Sequence, residues 1–334
     1  MDSDVVCIAS WNADLVARVA RPIARGETLF ASDFSIRPGG KGSNAAVACA
    51  RLGARTAVVA RIGDDAFGQM ALELWQREGI AAHHVQRAAG ERSGVAQILV
   101  YDDGDNSIAV APGAGAGLDA THIEAARETV ERARIVMACN EVPLGATLAA
   151  FRLARAAGVT TLLNPAPARP LPDELLSLTD VLTPNQGELA ALAGDAVPGR
   201  AEASAPRHAA AAGASHRAGS GARTRADATA RAAQALLARG VGAVLVTLGA
   251  DGCCLYRVGA AAMPLAGWPM PHIADTIGAG DTFTGALAAR LAASDDLEAA
   301  MRHANAAAAL SVTGPGAIGA MPTLAQVRAL LRGA

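Results

Sequence analysis

Two segments of this chain set chemically capable side chains among glycines. The first is Asp275-Thr-Ile-Gly-Ala-Gly-Asp281-Thr-Phe-Thr-Gly285, followed by an alanine-rich apolar run to Ala293 that reads as a helix. Gly278, Ala279 and Gly280 then form the loop at that helix's N-terminus. Free backbone N–H groups and the helix dipole make such a terminus an anion site. Glycines let a phosphate approach the backbone with no Cβ in the way. Asp281 stands at the same end. A carboxylate beside an anion hole can take a hydroxyl proton while the hole holds a transferring phosphoryl group. The plainer alternative is a helix N-cap, a favoured place for Asp.

The second segment is Gly39-Gly-Lys41-Gly-Ser-Asn44. The chain carries 29 lysines and arginines, and Lys41 is its single lysine. Arginine and lysine differ in shape and hydration, so a lone lysine inside a glycine cluster points to a specific use. The segment is not a P-loop, because glycine rather than Ser or Thr follows the lysine. Gly40 to Ala45 fits Gly-x-Gly-x-x-Ala, a loose dinucleotide fingerprint, with Asp64 near the place of its ribose-binding acid. That fingerprint should follow the first strand directly, whereas this one follows a long stretch containing Pro38. A tight loop presenting Lys41 and Asn44 to a polyhydroxylated ligand is the better reading; a turn with an exposed lysine is the plain one.

Weaker signals lie elsewhere. In Thr183-Pro-Asn185-Gln-Gly-Glu188, Asn185 and Glu188 sit three apart at a helix start. They either reach a magnesium–phosphate cluster, directly or through water, or form a capping box. Asn12, Asp14 and Glu141 each fall at the carboxyl end of an expected strand, where ligands gather in open α/β sheets. Amides and carboxylates there can pair with sugar hydroxyls, or be ordinary loop residues.

The elements that must position these residues alternate between strand and helix. Val5 to Trp11 reads as a buried strand, 45–52 as a helix stopped by Gly53, 56–60 as a strand and 67–77 as a helix. Residues 15–37 read as short strands of a side sheet. The runs 95–101 and 107–110 flank an Asp/Gly/Asn cluster and predict a hairpin. Strands are expected at 135–139, 159–163, 180–183 and 243–248 with helices between, the pattern of a mostly parallel sheet with crossover helices. Residues 198–235 contain no Val, Ile, Leu, Met, Phe, Trp or Tyr. Such composition predicts a disordered insertion over 197–224, dispensable for activity, with His208 and His216 solvated rather than metal-bound. Asp227 is then expected to cap a helix running to Arg239.

Composition narrows the class. The 334 residues are 51% hydrophobic but 3% aromatic, so the core is built mainly of closely packed alanine-rich helices. A net charge of −2 argues against a nucleic-acid surface. No run approaches the roughly 18 apolar residues of a membrane span. The acidic Met1-Asp-Ser-Asp4 start lacks a basic signal-peptide region. Five cysteines without C-x-x-C spacing suit a reducing compartment, without a disulfide framework or zinc site. A cytoplasmic location is the expectation.

In order along the chain, Asn12-x-Asp14, Gly39-Gly-Lys-Gly-x-Asn44, Asn164-Pro-Ala-Pro-Ala-Arg169, Thr183-Pro-Asn-x-x-Glu188, Thr247-Leu-Gly249 and Asp275-Thr-x-Gly-Ala-Gly-Asp281 resemble the PfkB-type carbohydrate kinases. The Gly-Gly-Lys-Gly loop together with Asn-Pro-Ala-Pro-Ala-Arg is similar to the ribokinase-like members. The resemblance spans Val5 to Pro322. It implies an α/β fold: a ribokinase-like three-layer α/β/α sandwich with a mostly parallel sheet plus a small β-sheet lid. The main domain would hold 1–13, 39–92 and 111–334, and the lid 14–38 and 93–110. Lids of this kind pair between two subunits, which implies a homodimer.

The resemblance also implies roles. ATP-dependent phosphorylation of D-ribose at its 5-hydroxyl is the expected activity, with Asp281 as general base and Gly278, Ala279 and Gly280 as anion hole. Asn12, Asp14, Gly40, Lys41, Asn44 and Glu141 would hold the sugar. Asn185, Glu188, Thr247 and Gly249 would follow the ATP phosphates, with Glu188 reaching Mg2+ through water, and Asn305 and the 314–317 loop would lie near the adenine. A K+ site would use Asp275 and carbonyls of Ile277, Ser311, Gly314 and Gly316. Gly314 and Ala320 depart from that family's usual basic residue and serine. A kinase for fructose, a nucleoside or another pentose, a dinucleotide-dependent oxidoreductase and a non-catalytic sugar sensor are the competing readings.

Overall fold

A computed structural model describes residues 3–194 and 218–333. Its central sheet has nine strands in the order β13-β12-β11-β10-β9-β8-β1-β4-β5. These are β1 Val5–Ile8, β4 Thr56–Gly63, β5 Ala81–Ala88, β8 Ile135–Cys139, β9 Thr160–Asn164, β10 Val181–Leu182, β11 Ala243–Thr247, β12 Cys253–Arg257 and β13 Met263–Leu265. All pairs from β5 to β11 are parallel, and β12 and β13 close the far edge antiparallel. Strand alternation sends Val5 and Cys7 to one core and Val6 and Ile8 to the other.

Helices cover both faces. On one side lie α1 Lys41–Arg51, α2 Ala66–Arg77, α9 Ala279–Ala293, α10 Leu297–Ser311 and α11 Leu324–Arg332. On the other lie α3 Ala120–Ala125, α4 Arg127–Arg132, α5 Leu144–Ala156, α6 Asp173–Ser177, α7 Gln186–Ala193 and α8 Ala218–Ala238. This is a three-layer α/β/α sandwich. Small residues let α1 and α9 cross closely: a Cβ on Gly285 of α9 would stand 2.3 Å from the Ala45 carbonyl oxygen of α1. That contact brings the starts of these two helices together.

A second sheet, in the order β3-β2-β6-β7, stands apart from the first. Its strands are β2 Asn12–Arg18, β3 Asp33–Gly39, β6 Gly94–Val100 and β7 Asn106–Ala111. Register places Asp14 opposite Arg37 and Ala96, so these share a face with Ile98, Ile108 and Val110. Leu15, Phe34, Ile36 and Leu99 lie on the opposite face.

Four local expectations are corrected. The first strand ends at Ile8 rather than Trp11, because the chain crosses here to the second sheet. The Trp11 ring is buried and meets Trp75 edge-on at 5.9 Å. Asn12 and Asp14 consequently lie in β2, not at a central strand's carboxyl end. The Lys41–Asn44 segment is not a loop but the first turn of α1. The helix expected to start at Asp227 starts at Ala218, since alanine and arginine are strong helix formers. The expected insertion over 197–224 therefore ends in helix, and its part from 197 to 217, with His208 and His216, lies outside the described residues.

Candidate active site

The start of α1 is a close approach of helix to strand. Gly40, its N-cap, has φ 89°, and a Cβ there would stand 2.8 Å from the Ser10 carbonyl oxygen. A Cβ on Gly42 would stand 2.6 Å from Ser10 N and 2.7 Å from Ala9 Cα. Only glycine fits at both positions. The helix has no cap from its own N-cap side chain. Its first N–H groups go instead to distant residues. Lys41 N–H donates to Glu141 Oε2 (2.8 Å), Gly42 N–H to Ser10 Oγ (3.0 Å) and Ser43 N–H to the Ser10 carbonyl (3.1 Å). Ser10 Oγ itself donates to Glu141 Oε2 at 2.8 Å. Ser10 was missed in the sequence because its role rests on partners 32 and 131 positions away.

The start of α9 is left differently. Gly278 is its N-cap at φ 78°, and a Cβ there would strike Ala317 Cβ at 2.7 Å. Ala279 N–H donates to the Thr276 carbonyl at 3.3 Å. Among the described residues, the N–H groups of Gly278, Gly280 and Asp281 donate to no protein acceptor. Asp281 is not the cap; it is the third helical residue, with a side chain buried over this open terminus.

Asp281 is the meeting point of the site. Its Oδ2 accepts from Asn44 Nδ2 at 2.9 Å, and Asn164 Nδ2 stands 3.5 Å from Oδ1. Burial pushes its carboxyl above the usual range, opposed by the Lys41 ammonium and the Asn44 amide. Lys41 is raised to about 12, chiefly by the Asp281 charge, against the effect of its own burial. Glu141 is pushed up by burial and held back by Lys41. Asp14 is pushed up to about 7 by burial and by the charges of Glu141 and Asp281. Asp14 lies over Gly39, where a Cβ would fall 2.1 Å from Oδ1, and Asn12 lies against Gly94 in the same way, at 2.4 Å. Asn44 Oδ1 is buried and has no partner among the described residues, an acceptor left inside this ring of groups. Asn12, Asp14, Gly40, Lys41, Asn44, Glu141 and Asp281 therefore belong to one cluster.

The second cluster is looser. Asn185 and Glu188 form a reciprocal capping box at 2.8 and 2.9 Å, so the plain reading of that pair holds in this structure. Glu188 still acts on Lys41 electrostatically, and burial raises its own carboxyl. Asn185 bridges to Thr247. A Cβ on Gly249, at φ 62°, would meet nothing within 4 Å, so the space beside it is open. Asn305 is buried, and its Nδ2 donates to the Ala266 carbonyl at 2.8 Å. That amide therefore holds the loop after β13.

Asp275 ties two loops together. Oδ1 accepts from Ile277 N–H at 2.9 Å and Oδ2 from Gly316 N–H at 3.0 Å. Ala274 N–H donates to the Val312 carbonyl. Asp275, Ile277 and Gly316, three of the residues expected around a cation, are thus neighbours. Gly314 and Ala320 also meet, since a Cβ on Gly314 would touch Ala320 Cβ at 3.0 Å. No group of three or more His, Cys, Asp or Glu able to hold a metal ion occurs among the described residues. The dinucleotide reading loses its support: Gly40 and Gly42 follow β3 of the second sheet rather than a strand of the parallel one. No helix among the described residues is long and apolar enough to cross a membrane.

Comparison with known proteins places the chain in a family. The pfkB family of carbohydrate kinases matches residues 2–324. The ribokinase of Haemophilus influenzae is 34% identical over 323 residues, covering 97% of this chain and 96% of that protein. The ribokinase of Bacillus subtilis is 33% identical over 328 residues, covering 98% and 99%. Among solved structures, Arabidopsis thaliana ribokinase complexed with ribose and ATP superposes with a TM-score of 0.85 at 31% identity, covering 99% of both chains. With a buried aspartate over an open helix terminus and a family match across nearly its whole length, the chain belongs to the pfkB family of carbohydrate kinases.

Proposed function

We propose that this protein transfers the γ-phosphoryl group of ATP to the 5-hydroxyl of D-ribose, giving ribose 5-phosphate and ADP. The observation that carries the reading is Asp281, buried at the start of α9 beside backbone N–H groups with no acceptor among the described residues and within reach of Asn44 and Lys41. The sugar's primary hydroxyl loses its proton to Asp281 as its oxygen attacks the γ-phosphorus, and the bond to the β-phosphate oxygen breaks. Burial makes Asp281 a stronger base than an exposed aspartate, while the Lys41 ammonium favours its ionised form before the sugar arrives. The N–H groups of Gly278, Gly280 and Asp281 receive the equatorial oxygens of the phosphoryl group. Asn12, Asp14, Lys41, Asn44 and Glu141 hold the other hydroxyls, and ribose rather than another sugar is supported by all five being present.

Asn185, Glu188, Thr247 and Gly249 take the phosphate side of ATP, and Asn305 with the 314–317 loop borders the adenine side. Mg2+ keeps several waters and binds substrate phosphates readily. The single carboxylate of Glu188 fits such an ion held mainly by ATP and reached through water. Asp275 holds the Ile277 and Gly316 N–H groups on its two oxygens, which supports K+ as an activator there, with Asp275 and the carbonyls of Ile277, Ser311, Gly314 and Gly316 as its ligands.

The second sheet serves as a lid, its Asp14 face over the sugar. Its opposite face exposes Phe34 by 59% and Ile36 by 45%. That apolar surface supports a homodimer through the lid. Light scattering should then give twice the chain mass, and a Phe34→Glu variant should run as a monomer.

The deciding experiment is ADP release with ATP, Mg2+ and D-ribose, with and without K+, beside fructose, other pentoses and nucleosides. Preferred turnover of ribose, stimulated by K+, is expected. Faster turnover of another panel member would move the specificity while leaving the chemistry. Absence of turnover on every member would overturn the kinase reading.

A further inference from the structure

We propose that Ser10 is a positioning residue of the sugar site, fixing Glu141 and the start of α1 in one geometry. The proposal rests on the sugar-kinase reading above. Ser10 lies between β1 and β2, where the chain leaves the central sheet for the small one. Its hydroxyl has one proton and two lone pairs. An ionised Glu141 can only accept, so the hydroxyl proton goes to Glu141 Oε2 at 2.8 Å. One lone pair then accepts Gly42 N–H at 3.0 Å. The remaining one faces the Cys139 thiol at 3.5 Å, with sulfur as donor.

The consequence is an asymmetric carboxylate. Glu141 Oε2 is held twice, by Ser10 Oγ and by Lys41 N–H. Oε1 makes no hydrogen bond among the described residues, so it is the oxygen left for a sugar hydroxyl. The same serine supplies two acceptors to consecutive N–H groups of α1, its Oγ to Gly42 and its carbonyl to Ser43. These contacts set where Lys41 and Asn44, the first and fourth residues of that helix, stand relative to Asp281. Alanine at position 10 would leave the carbonyl contact and remove the three made by Oγ, with Glu141, Gly42 and Cys139. Burial disfavours the Glu141 charge, so loss of a donor to it is felt strongly. None of these contacts touches the nucleotide cluster.

The test is a double-mutant cycle with Ser10→Ala, Glu141→Ala and the pair, on whichever panel sugar the wild type phosphorylates fastest. Ser10→Ala should raise the sugar KM roughly ten- to a hundredfold, the scale of a hydrogen bond to a charged group. The kcat should stay within about threefold and the ATP KM should be unchanged. In the Glu141→Ala background, the same change should raise the sugar KM by no more than about threefold. An equal factor in both backgrounds would overturn the proposal. So would a lower melting temperature with an unaltered sugar KM, the signature of a merely structural serine.

Wild-type turnover tests the functional reading, and the ratio of variant to wild type tests Ser10. Amide exchange adds a readout that needs no activity. Gly42 N–H should exchange roughly tenfold faster in Ser10→Ala with the rest of α1 unaltered. Unaltered exchange at Gly42 would also overturn the proposal.

Discussion

The starts of α1 and α9 are built alike and finished differently. Each opens on a glycine with positive φ, Gly40 at 89° and Gly278 at 78°, and neither N-cap residue caps with its side chain. In α1 the first three N–H groups are taken by Ser10 and Glu141, which come from other parts of the chain. In α9 the corresponding groups of Gly280 and Asp281 have no protein acceptor among the described residues. Unfilled N–H groups at a helix start carry the positive end of the dipole and attract an anion. A filled terminus holds its side chains still but offers nothing to a phosphate. One helix start is therefore filled, a holder, and the other open, the receptor of the proposed mechanism, and the close crossing at Gly285 brings them together.

Substitutions can break that contrast in graded ways. The largest effect is expected at the receptor's own carboxylate. Asp281→Asn should lower kcat by roughly 10²–10⁴, the usual contribution of a positioned base, with the sugar KM little altered. Steady-state ADP release measures both. Next comes a methyl group placed at the open terminus. A Cβ on Gly280 would meet nothing within 4 Å, so Gly280→Ala should keep or slightly raise the melting temperature. The same methyl would hold the phosphoryl group off its donors and lower turnover by roughly 10², the scale of a lost oxyanion donor.

The matching change in the filled terminus should do the reverse in kind. Gly42→Ala drives a Cβ into the backbone of Ala9 and Ser10 and should cost about 1–3 kcal/mol of stability in urea unfolding. Equal stability losses at Gly42 and Gly280 would erase the distinction between holder and receptor.

The smallest effect concerns Asp14, beside the holder. Burial and the charges of Glu141 and Asp281 push its carboxyl up to about 7, above the ordinary aspartate range, so the fold favours the protonated form. That contribution to stability is complete below the unfolded pKa and is lost as pH rises through about 7. The ligand-free melting temperature should therefore fall from about pH 4 to about pH 7 and level off above it, and Asp14→Asn should flatten that fall. An ionised Asp14 accepts sugar hydroxyls better, so the sugar KM of the wild type should drop roughly three- to tenfold as the folded group ionises through about 7.

Much of this was legible in the chain itself. The parallel strands at 135–139, 160–164 and 243–247 follow from short apolar runs, and α9 follows from the alanine-rich run after Gly278. The chemical importance of Lys41 follows from its being the single lysine. Other features were hidden for physical reasons. Local propensity cannot say that Asn12 and Asp14 start a strand of a second sheet, because sheet membership is set by partners such as Gly39 and Gly94. The helical start at Lys41 was masked by three glycines within four residues, which read as a loop until Ser10 and Glu141 supply the missing cap. Asn185 and Glu188 gave the same sequence signal for a cap as for a phosphate contact, and the capping box is what forms in the structure.

Residue types and their order thus determined the α/β alternation, the glycine-lined helix starts and the chemical repertoire of carboxylates, amides and one ammonium. Those depend on local periodicity and on what each side chain can donate or accept. Tertiary structure alone decided which N–H groups are filled and which stay open, that Asp281 meets Asn44 from 237 residues away, and that four carboxylates share the field of Lys41. Hydrogen bonds and desolvation act only over a few ångströms, so these outcomes exist only once the chain has folded.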